Sequence, residues 1–503
     1  MNTTYTLSRN RLVKALQKDP DTFTCDDILK FIVDNNIEMV NFMYPAGDGR
    51  LKTLNFVVSS LEYITTVLTT GERVDGSSLF NFVEAGSSDL YVVPRFSTAF
   101  VDPFAEIPTV AMLCSFFDKD GKPLAGAPEQ VLSRACSSFK HATGLDFYAM
   151  GELEYYVITD STPMFPAVDQ KGYHESAPFA KLNDFRARCM KYITMTGGEI
   201  KYGHSEVGNF TLDGRNYEQN EIEFLPVDAR KAADQLMLAK WVIRNLAHRE
   251  GLDVTFAPKI TSGKAGSGLH IHMKLMREGK NVMLDSDRRL SDDARRLIAG
   301  IMTLAPALTA FGNTNPTSYF RLVPHQEAPT NICWGDRNRS VLVRVPLGWT
   351  ADSDMSAIAN NGSCGCRLHP RTDDKQTVEI RSGDCSANIY LYMAGLAVAA
   401  RLGFEMADAL KIASDTYVDI NIHDESHKDR LASLSSLPVN CGESADALLA
   451  MRRYFEADGV FSPTLIDSTA RDLKAFNDAE TIAKALQDDE LMHSLVERFF
   501  HCG

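Results

Sequence analysis

Apolar positions in the first 120 residues follow a helical period in some segments and short strand-like runs in others. Between residues 25 and 36, Ile28, Phe31 and Ile32 recur at helical spacing, and the next apolar runs are separated by a glycine-containing turn. The pattern predicts a helix, a strand hairpin, a second helix and two further strands, at 25–36, at 37–44 with 51–58, from Leu61, near 90–94 and at 110–117. We therefore expect a small α+β unit here.

A dense turn signal at 118–123, rich in Asp, Gly and Pro, follows this unit. We predict one domain over residues 1–122 and a larger α+β domain over residues 123–503. The clearest helix of the larger domain should begin after a capping residue, Asp228, and end near His248. The apolar run 389–400 is twelve residues long and too short to cross a bilayer, so it predicts a buried helix.

Four strand-like segments of the larger domain each carry two polar side chains of types that bind metals or anions, two residues apart. Residues i and i+2 of a strand face the same side of a sheet, so each segment presents its pair to one face. A single pair could simply mark the solvent side of a strand, but two of the four stand among apolar neighbours. The pairs are Glu152 with Glu154, Glu221 with Glu223, His270 with His272, and Glu379 with Arg381.

Carboxylates gathered on one buried face repel one another unless a cation neutralises them. A donor set of Glu and His without Cys favours a hard divalent ion, Mg²⁺ or Mn²⁺, over structural zinc. Downstream arginines offer guanidinium groups that match phosphate and carboxylate oxygens, although residues 337–339 could equally be a surface charge run. These arginines are Arg321, Arg337, Arg339, Arg344 and Arg381.

Composition excludes several classes of protein. Lys and Arg total 52 against 66 Asp and Glu, a formal charge of −14, which argues against a nucleic-acid or acidic-membrane partner. Ten Cys without a framework of spacings, and no visible signal peptide, favour reduced thiols and a cytoplasmic location. Cys364 and Cys366, followed by His369, could form half a metal site, but no second Cys pair lies nearby.

A series of short motifs resembles, in this order, the glutamine synthetase family of the type I, bacterial style. The motifs are DGSS at 75–78, GELE at 151–154, QNE at 219–221, GSGLHIH at 266–272, NPT at 315–317, RLVP at 321–324, EAP at 327–329, NRS at 338–340 and EIR at 379–381. The resemblance implies an α+β fold with a small N-terminal β-grasp-like domain. The large catalytic domain would follow, with an open antiparallel sheet forming a funnel-like active site.

The resemblance also implies an ATP-dependent ligation of glutamate and ammonia through γ-glutamyl phosphate, giving glutamine, ADP and phosphate. It implies a homododecamer of two hexameric rings, with each active site shared between neighbouring subunits. Two Mg²⁺ or Mn²⁺ ions would be bound in each site. One would be held by Glu154, Glu206 and Glu221, and the other by Glu152, His270 and Glu379.

The remaining roles that the resemblance implies fall on the substrates. Arg321 would pair with the α-carboxylate of glutamate beside Gly266, and Arg381 would contact phosphate or γ-carboxyl oxygens. On the ATP side, the implied residues are His272, Arg339 and Arg344, with Arg339 stabilising the phosphoryl group in transfer. Glu327 would close over the intermediate as a flap residue, and Asp75 of the neighbouring subunit would bind ammonium.

Two departures from the family pattern leave the second substrate open. Ala265 stands where the family has Asn before Gly-Ser-Gly, and the connection between Glu206 and Glu221 is longer than usual. The alternative is therefore a γ-glutamyl ligase for a polyamine or another organic amine. A catalytically inactive structural relative is a third hypothesis, but such a protein has no need of a complete set of metal ligands.

Overall fold

The computed structural model describes residues 3–323, 328–349, 351, 353–362, 374–420 and 432–503. Strands and helices are numbered in chain order. The strands are β1 (Met39–Pro45), β2 (Leu51–Val57), β3 (Glu72–Asp75), β4 (Asp89–Pro94), β5 (Phe100–Val101), β6 (Thr109–Phe117), β7 (Asp146–Asp160), β8 (Ile200–Leu212), β9 (Arg215–Phe224), β10 (Val227–Asp228), β11 (Asp253–Thr255), β12 (Leu269–Arg277), β13 (Lys280–Asn281), β14 (Trp334–Asp336), β15 (Val343–Val345) and β16 (Val378–Ile380).

The helices of the described segments precede, separate and follow these strands. They are α1 (Thr3–Leu7), α2 (Arg11–Leu16), α3 (Cys25–Asp34), α4 (Leu61–Thr70), α5 (Pro128–Thr143), α6 (Asn183–Met195), α7 (Ala229–Glu250), α8 (Asp292–Gly312), α9 (Ser318–Arg321), α10 (Met355–Ala359), α11 (Ile389–Glu405), α12 (Ala409–Asp415), α13 (Cys441–Glu456), α14 (Pro463–Ala475), α15 (Ala479–Ala485) and α16 (Asp489–Phe499).

The N-terminal part forms a small sheet with the strand order β2-β1-β6-β4-β3, and β5 also pairs with β6. The predicted hairpin is β1–β2, and the predicted helices are α3 and α4, which pack their apolar faces into a core of their own. Thr24 caps α3 with a reciprocal capping box. Sequence periodicity missed β3 and β5 because they are four and two residues long.

The predicted domain boundary between residues 122 and 123 falls in the connection from β6, which ends at Phe117, to α5, which begins at Pro128. This connection is a tight turn in which the amide of Gly121 donates to the carbonyl of Asp118. The boundary itself stays a prediction.

The larger part is built on a second sheet, with the strand order β14-β15-β16-β12-β7-β9-β8. Its named pairings are antiparallel apart from the parallel pair β14–β15. Helix α7 begins after Asp228, whose side chain accepts from the amide of Arg230, and Gly251 ends it in the left-handed conformation, as predicted. The four segments with polar pairs are β7, β9, β12 and β16, so they all lie in this sheet.

The most apolar helices form the core beside the second sheet. The predicted buried helix is α11, whose residues from Ile389 to Gly403 are buried. It packs against α8, which is long and apolar enough to cross a membrane by composition alone. Inside this fold, however, 78% of the relevant window of α8 is buried against other parts of the chain. Burial by the chain itself therefore accounts for the apolar composition of α8.

An ion pair joins the small sheet to the larger part of the fold. Arg95, which follows β4, donates two hydrogen bonds of 2.7 Å to the carboxylate of Asp234 on α7. Tyr390 donates a third hydrogen bond, also 2.7 Å, to the same carboxylate. Because Asp234 is 8% exposed, these bonds lie largely out of water and are weakly screened by salt.

We predict that Asp234→Asn lowers the free energy of unfolding by about 3 kcal/mol, because Arg95 then keeps its charge without a carboxylate partner. Urea unfolding at low and high salt measures the loss, which should persist at high salt. The matched control is Asp446→Asn, since Asp446 pairs with Lys474 at the surface and should cost less than about 1 kcal/mol. Equal effects of the two substitutions would contradict the role given to Asp234.

Candidate active site

Strand register brings the polar pairs into one row. Glu152 on β7 lies opposite Glu223 on β9 and opposite His270 on β12, and Glu154 lies opposite Glu221. On the other side of β12, His272 lies opposite Glu379. Directly opposed side chains on neighbouring strands are about 5 Å apart at Cβ. The sheet therefore forces carboxylates and imidazoles into contact across four strands.

Glu206 enters the same row through an irregularity of β8. The register between β8 and β9 shifts between Ser205 and Asn209, which bulges residues 206–208 out of the ladder. The longer connection noted in the sequence is the β8–β9 hairpin, closed by Asp213 and Gly214, both at positive φ. The added length therefore extends the hairpin beyond the bulge and leaves Glu206 beside Glu221.

A pocket of about 380 Å³ opens onto this row. Nine of the residues predicted for the site line it together, and the rest of its wall is formed by Tyr173, Val207, Lys259, Ala265 and Ala328. The nine are Glu152, Glu154, Glu206, Glu221, Gly266, His270, Arg321, Arg339 and Arg381.

One half of the row has internal counter-charges. Glu152 contacts Nδ1 of His270 at 2.9 Å and Nε2 of His272 at 2.7 Å. Glu379 pairs with Arg381 and, at 2.9 Å, with Arg344. Burial alone would raise the pKa of Glu152, but the two imidazoles outweigh it and hold that pKa well below its ordinary value.

The other half of the row is short of positive charge. Burial, and then the carboxylates of Glu152, Glu154 and Glu206, raise the pKa of Glu221 well above its ordinary value. The imidazole of His204 lies 3.5 Å from Glu221. Burial also lowers the pKa of His204, so this imidazole adds little positive charge. A divalent cation bound here would neutralise the repulsion among these buried carboxylates.

The donor set fits divalent ions. Donor atoms lie within 4.8 Å of one another in three groups: Glu152, His272 and Glu379; His204, Glu206 and Glu221; and Glu152, Glu221 and Glu223. These groups keep Glu206 with Glu221 and Glu152 with Glu379, as the predicted ligand sets do, but they contain His272 and His204 in place of His270 and Glu154.

The protonation of the two histidines nevertheless favours His270 as the ligand. Burial, and then the charge of Arg381, lower the pKa of His270 to about 4, so its imidazole is neutral, the form that binds a metal. Burial also acts to lower the pKa of His272, but Glu152 outweighs it and raises that pKa. The assignment of each ligand to a metal stays a prediction.

The predicted arginines separate into three places. Arg321 is buried beside Gly266, with its guanidinium anchored to the carbonyls of Ser382 at 2.9 Å and Arg381 at 3.1 Å. Arg339 is exposed at the pocket wall, whereas Arg344 does not line the pocket and pairs with Glu379. Arg337 is exposed and lines a different cavity with Trp334 and Tyr417, which agrees with the surface alternative left open for residues 337–339. Its positive φ of 56° places it in the turn after β14.

Two glycines let the chain pass closely beside the pocket. A Cβ at Gly266 would meet the carbonyl oxygen of Pro258 at 2.5 Å, and one at Gly268 would meet Arg321 and His270 at 2.6 Å. The Gly-Ser-Gly motif is therefore a steric requirement here. The amide of Gly268 also donates at 2.7 Å to the carboxylate of Glu154, which fixes that side chain.

Sequence reasoning assigned no role to several residues in the wall or beside it. Gln219 donates to Glu154 and to the carbonyl of Gly266, both at 3.0 Å, and its two-residue spacing from Glu221 was the signal that could have revealed it. Tyr173 stacks on His174 with ring centroids 4.2 Å apart. Tyr173 and Lys259 lie outside the named helices and strands, where no periodicity points to a site.

Four of the described site residues do not line this pocket: His272 and Glu379, which belong to the row beside it, Arg344, which pairs with Glu379, and Asp75. Asp75 is exposed on the N-terminal domain, where hydrogen bonds from Ser78 and Ser77 hold the pKa of its carboxyl well below its ordinary value. It does not line the pocket of its own chain. Glu327 lies outside the described residues, as do Cys364, Cys366 and His369.

Comparison with known proteins agrees with this fold and pocket. The sequence-family model of the glutamine synthetase catalytic domain matches residues 125–492. The family model of the glutamine synthetase β-grasp domain matches residues 36–119. A glutamine synthetase of Pyrococcus furiosus is 32% identical over 82% of this chain and 85% of its own length. That of Frankia alni is 29% identical over 91% of this chain and 96% of its own length.

Among solved structures, GmaS in complex with ADP has a TM-score of 0.71 at 20% identity, covering 90% of this chain and 96% of that one. This likeness concerns the fold. The glutamine synthetase family consists of ATP-dependent ligases that use divalent metal ions and small-molecule substrates, and the acidic groups of this pocket fit such ions. The chain belongs to the glutamine synthetase family, and the predicted fold class, with its β-grasp domain and large catalytic α+β domain, is confirmed.

We predict that Glu221→Gln stabilises the metal-free protein while weakening metal binding. A carboxyl whose pKa is raised in the folded state costs stability as pH rises above its unfolded value, so removing it should help more at pH 8 than at pH 5. The gain at pH 8 should be about 1 kcal/mol or more. Thermal unfolding in EDTA and calorimetric titration with Mn²⁺ measure the two effects.

Exposed Glu480, which lies on α15, provides the control. Glu480→Gln should change neither the stability nor the Mn²⁺ affinity measurably. A loss of stability in Glu221→Gln at pH 8 would contradict the electrostatic account of this half of the site.

Proposed function

We propose that the protein ligates ammonia to glutamate, consuming ATP and passing through γ-glutamyl phosphate. The observation that supports this proposal is the joining, in one pocket, of a carboxylate and imidazole row with three arginines, Arg321, Arg339 and Arg381. A carboxylate is a poor electrophile, so its phosphorylation supplies the leaving group that an amine then displaces. Such a reaction needs a region that stabilises phosphoryl charge next to one that binds an amino acid.

The chain's own residues suit the two halves of this reaction. The buried guanidinium of Arg321, which donates to the carbonyls of Ser382 and Arg381 and contacts Nε2 of His270, would pair with the α-carboxylate of glutamate beside Gly266. Arg339 and Arg381 would stabilise the charge of the phosphoryl group in transfer. Two divalent ions, bound by the predicted ligands, would neutralise charge on the phosphate oxygens.

The ammonium side would lie outside the metal ligands, because a divalent ion would occupy Glu206 and Glu221. A free carboxylate there would bind NH₄⁺ and then accept its proton, leaving NH₃ as the nucleophile. The proposed roles of Asp75 from a neighbouring subunit and of Glu327 as a flap residue complete this side. A homododecamer and a cytoplasmic location stay predictions, as does the absence of nucleic-acid and membrane partners.

The alternative second substrate, a polyamine or other organic amine, is favoured by one feature of the wall. Ala265 places a methyl group where the family has an amide, which leaves room and removes a hydrogen-bond donor beside the amino-acid pocket. This feature bears on the choice of amine and leaves the proposed phosphoryl transfer unchanged.

We expect phosphate release from ATP that requires both glutamate and ammonia, measured with Mg²⁺ or Mn²⁺ and a panel of amines that includes putrescine. Mass spectrometry of the product separates glutamine from a γ-glutamyl amine. Glu154→Ala should retain less than about a tenth of the activity, because loss of a metal in phosphoryl transfer costs several kcal/mol. The control Glu480→Ala should retain full activity.

Release that depends on putrescine and not on ammonia would replace the first proposal with the alternative. No glutamate-dependent release with any amine would reject both proposals.

The exposed position of Asp75, away from the pocket of its own chain, supports a site completed by a neighbouring subunit. We predict that Asp75→Ala and Arg339→Ala are each almost inactive alone. The two variants are then co-expressed at equal levels so that they mix in one closed ring. A site is complete when the chain that supplies the pocket carries Asp75→Ala and the neighbour that supplies Asp75 carries Arg339→Ala. Random mixing gives about a quarter of wild-type activity. Mixed assemblies as inactive as their parents would place the role of Asp75 within its own subunit.

A further inference from the structure

Lys259 is a buried cation in the wall of the active-site pocket, and the proposed reaction gives it no part. Its side chain lines the pocket together with Ala265, Gly266 and Arg321, and the residue is only 3% exposed. Its ammonium donates to the main-chain carbonyl of Lys264. Burying an ammonium costs free energy, which contacts with oxygen atoms must offset.

The chain next to Lys259 and the side chain of Arg321 both lie against Gly266. A Cβ at Gly266 would meet the carbonyl oxygen of Pro258 at 2.5 Å and Cγ of Arg321 at 3.0 Å. The amide of Ser267 donates to the same carbonyl of Pro258 at 3.0 Å, which joins the two segments of the wall. The two cations therefore enter the pocket beside the same glycine.

Arg321 by itself has few donors left for a carboxylate. Its Nη1 donates to the carbonyl of Ser382 at 2.9 Å. Its Nη2 donates to the carbonyl of Arg381 at 3.1 Å and contacts Nε2 of His270 at 3.2 Å. Each of these nitrogens carries two hydrogens, so Nη2 is fully engaged and Nη1 keeps one N–H for a ligand. Because a carboxylate has two oxygens that both accept hydrogen bonds, a second donor is needed to satisfy it.

We propose that Lys259 is a second substrate-binding cation, and that its ammonium donates to the α-carboxylate of the bound amino acid beside Arg321. The proposal rests on the proposed function, in which glutamate occupies this pocket, and it holds for either choice of amine. An ammonium has three N–H groups, so the hydrogen bond to Lys264 is compatible with one to the ligand. With two cations on its α-carboxylate, glutamate would direct its γ-carboxyl toward Arg381 and the predicted metal ligands.

The other cation of this loop differs from Lys259 in its surroundings. The ammonium of Lys264 pairs with Asp169 at 2.5 Å, and the residue does not line the pocket. Its carbonyl, which the main chain supplies, is the part that accepts from Lys259. Lys264→Met therefore removes a charge from the same loop without removing one from the pocket, and it is the matched control.

Lys259→Met should raise the KM for glutamate about tenfold or more, since a hydrogen bond between charged groups is lost. The kcat should stay within about twofold, because the lost contact is remote from the γ-carboxyl that reacts. Phosphate release with ATP, Mg²⁺ and a saturating amine measures both constants, and Lys264→Met should change neither. Lys259→Gln, whose amide can still donate to the carbonyl of Lys264, carries the test if Lys259→Met does not fold.

Two analogues of glutamate separate substrate binding from support of the loop. Glutarate has both carboxylates and lacks the α-amino group, whereas 4-aminobutanoate has the amino group and lacks the α-carboxylate. As competitive inhibitors against glutamate, glutarate should bind about tenfold more weakly to Lys259→Met than to wild type, and 4-aminobutanoate should bind within about twofold of wild type. A side chain that only supported the loop would affect both analogues equally.

Two results would overturn this role of Lys259 and leave the ligase function standing. One is an unchanged KM for glutamate in Lys259→Met and Lys259→Gln, and the other is an equal loss of affinity for the two analogues. Wild-type protein that releases no phosphate with glutamate and any amine would instead reject the proposed function, and this role of Lys259 with it.

Discussion

Repulsion between carboxylates that one sheet forces together is the constraint on which the rest of the structure depends. Register places Glu152, Glu154 and Glu221 on adjacent strands, and burial denies them the hydration that would screen their charge. The positively charged partners are distributed unevenly among these carboxylates. Histidines and arginines offset Glu152 and Glu379, whereas Glu221 has only the imidazole of His204 close by among the described residues. The demand for an added cation is therefore greatest beside Glu221 and Glu206.

Holding charged side chains in this way requires a rigid support, and helix α7 provides much of it. Gly151 leaves no space for a side chain, because a Cβ there would meet Leu236 of α7 at 2.7 Å, so the helix rests on the strand just before Glu152. The same helix carries Asp234, which binds Arg95 of the N-terminal domain. One helix thus fixes both the strand that bears the carboxylates and the position of the domain expected to complete a neighbour's site.

The regular parts of the site could be predicted from the sequence, and the irregular parts could not. A period of two fixes which face a strand residue occupies, so Glu152, Glu154, Glu221, His270 and Glu379 followed from spacing alone. Register between strands is set by the packing of the whole sheet, so the closeness of Glu154 to Glu221 was beyond the sequence pattern. Glu206 stands on a bulge and was found through family motifs, while Tyr173 gave no signal.

Family resemblance and local structure give different information about the second substrate. The backbone at Ala265 is held at both ends, because its amide donates to Gln170 and its carbonyl accepts from Tyr156, each at 2.8 Å. The exchange of Asn for Ala therefore changes the side chain without loosening the wall. In the proposed function, recognition of the amino-acid part would then depend more on Arg321, which is held by the carbonyls of Ser382 and Arg381 and by the ring of His270. Under the alternative proposal, the space left beside Ala265 would be where an amine larger than ammonia is accommodated.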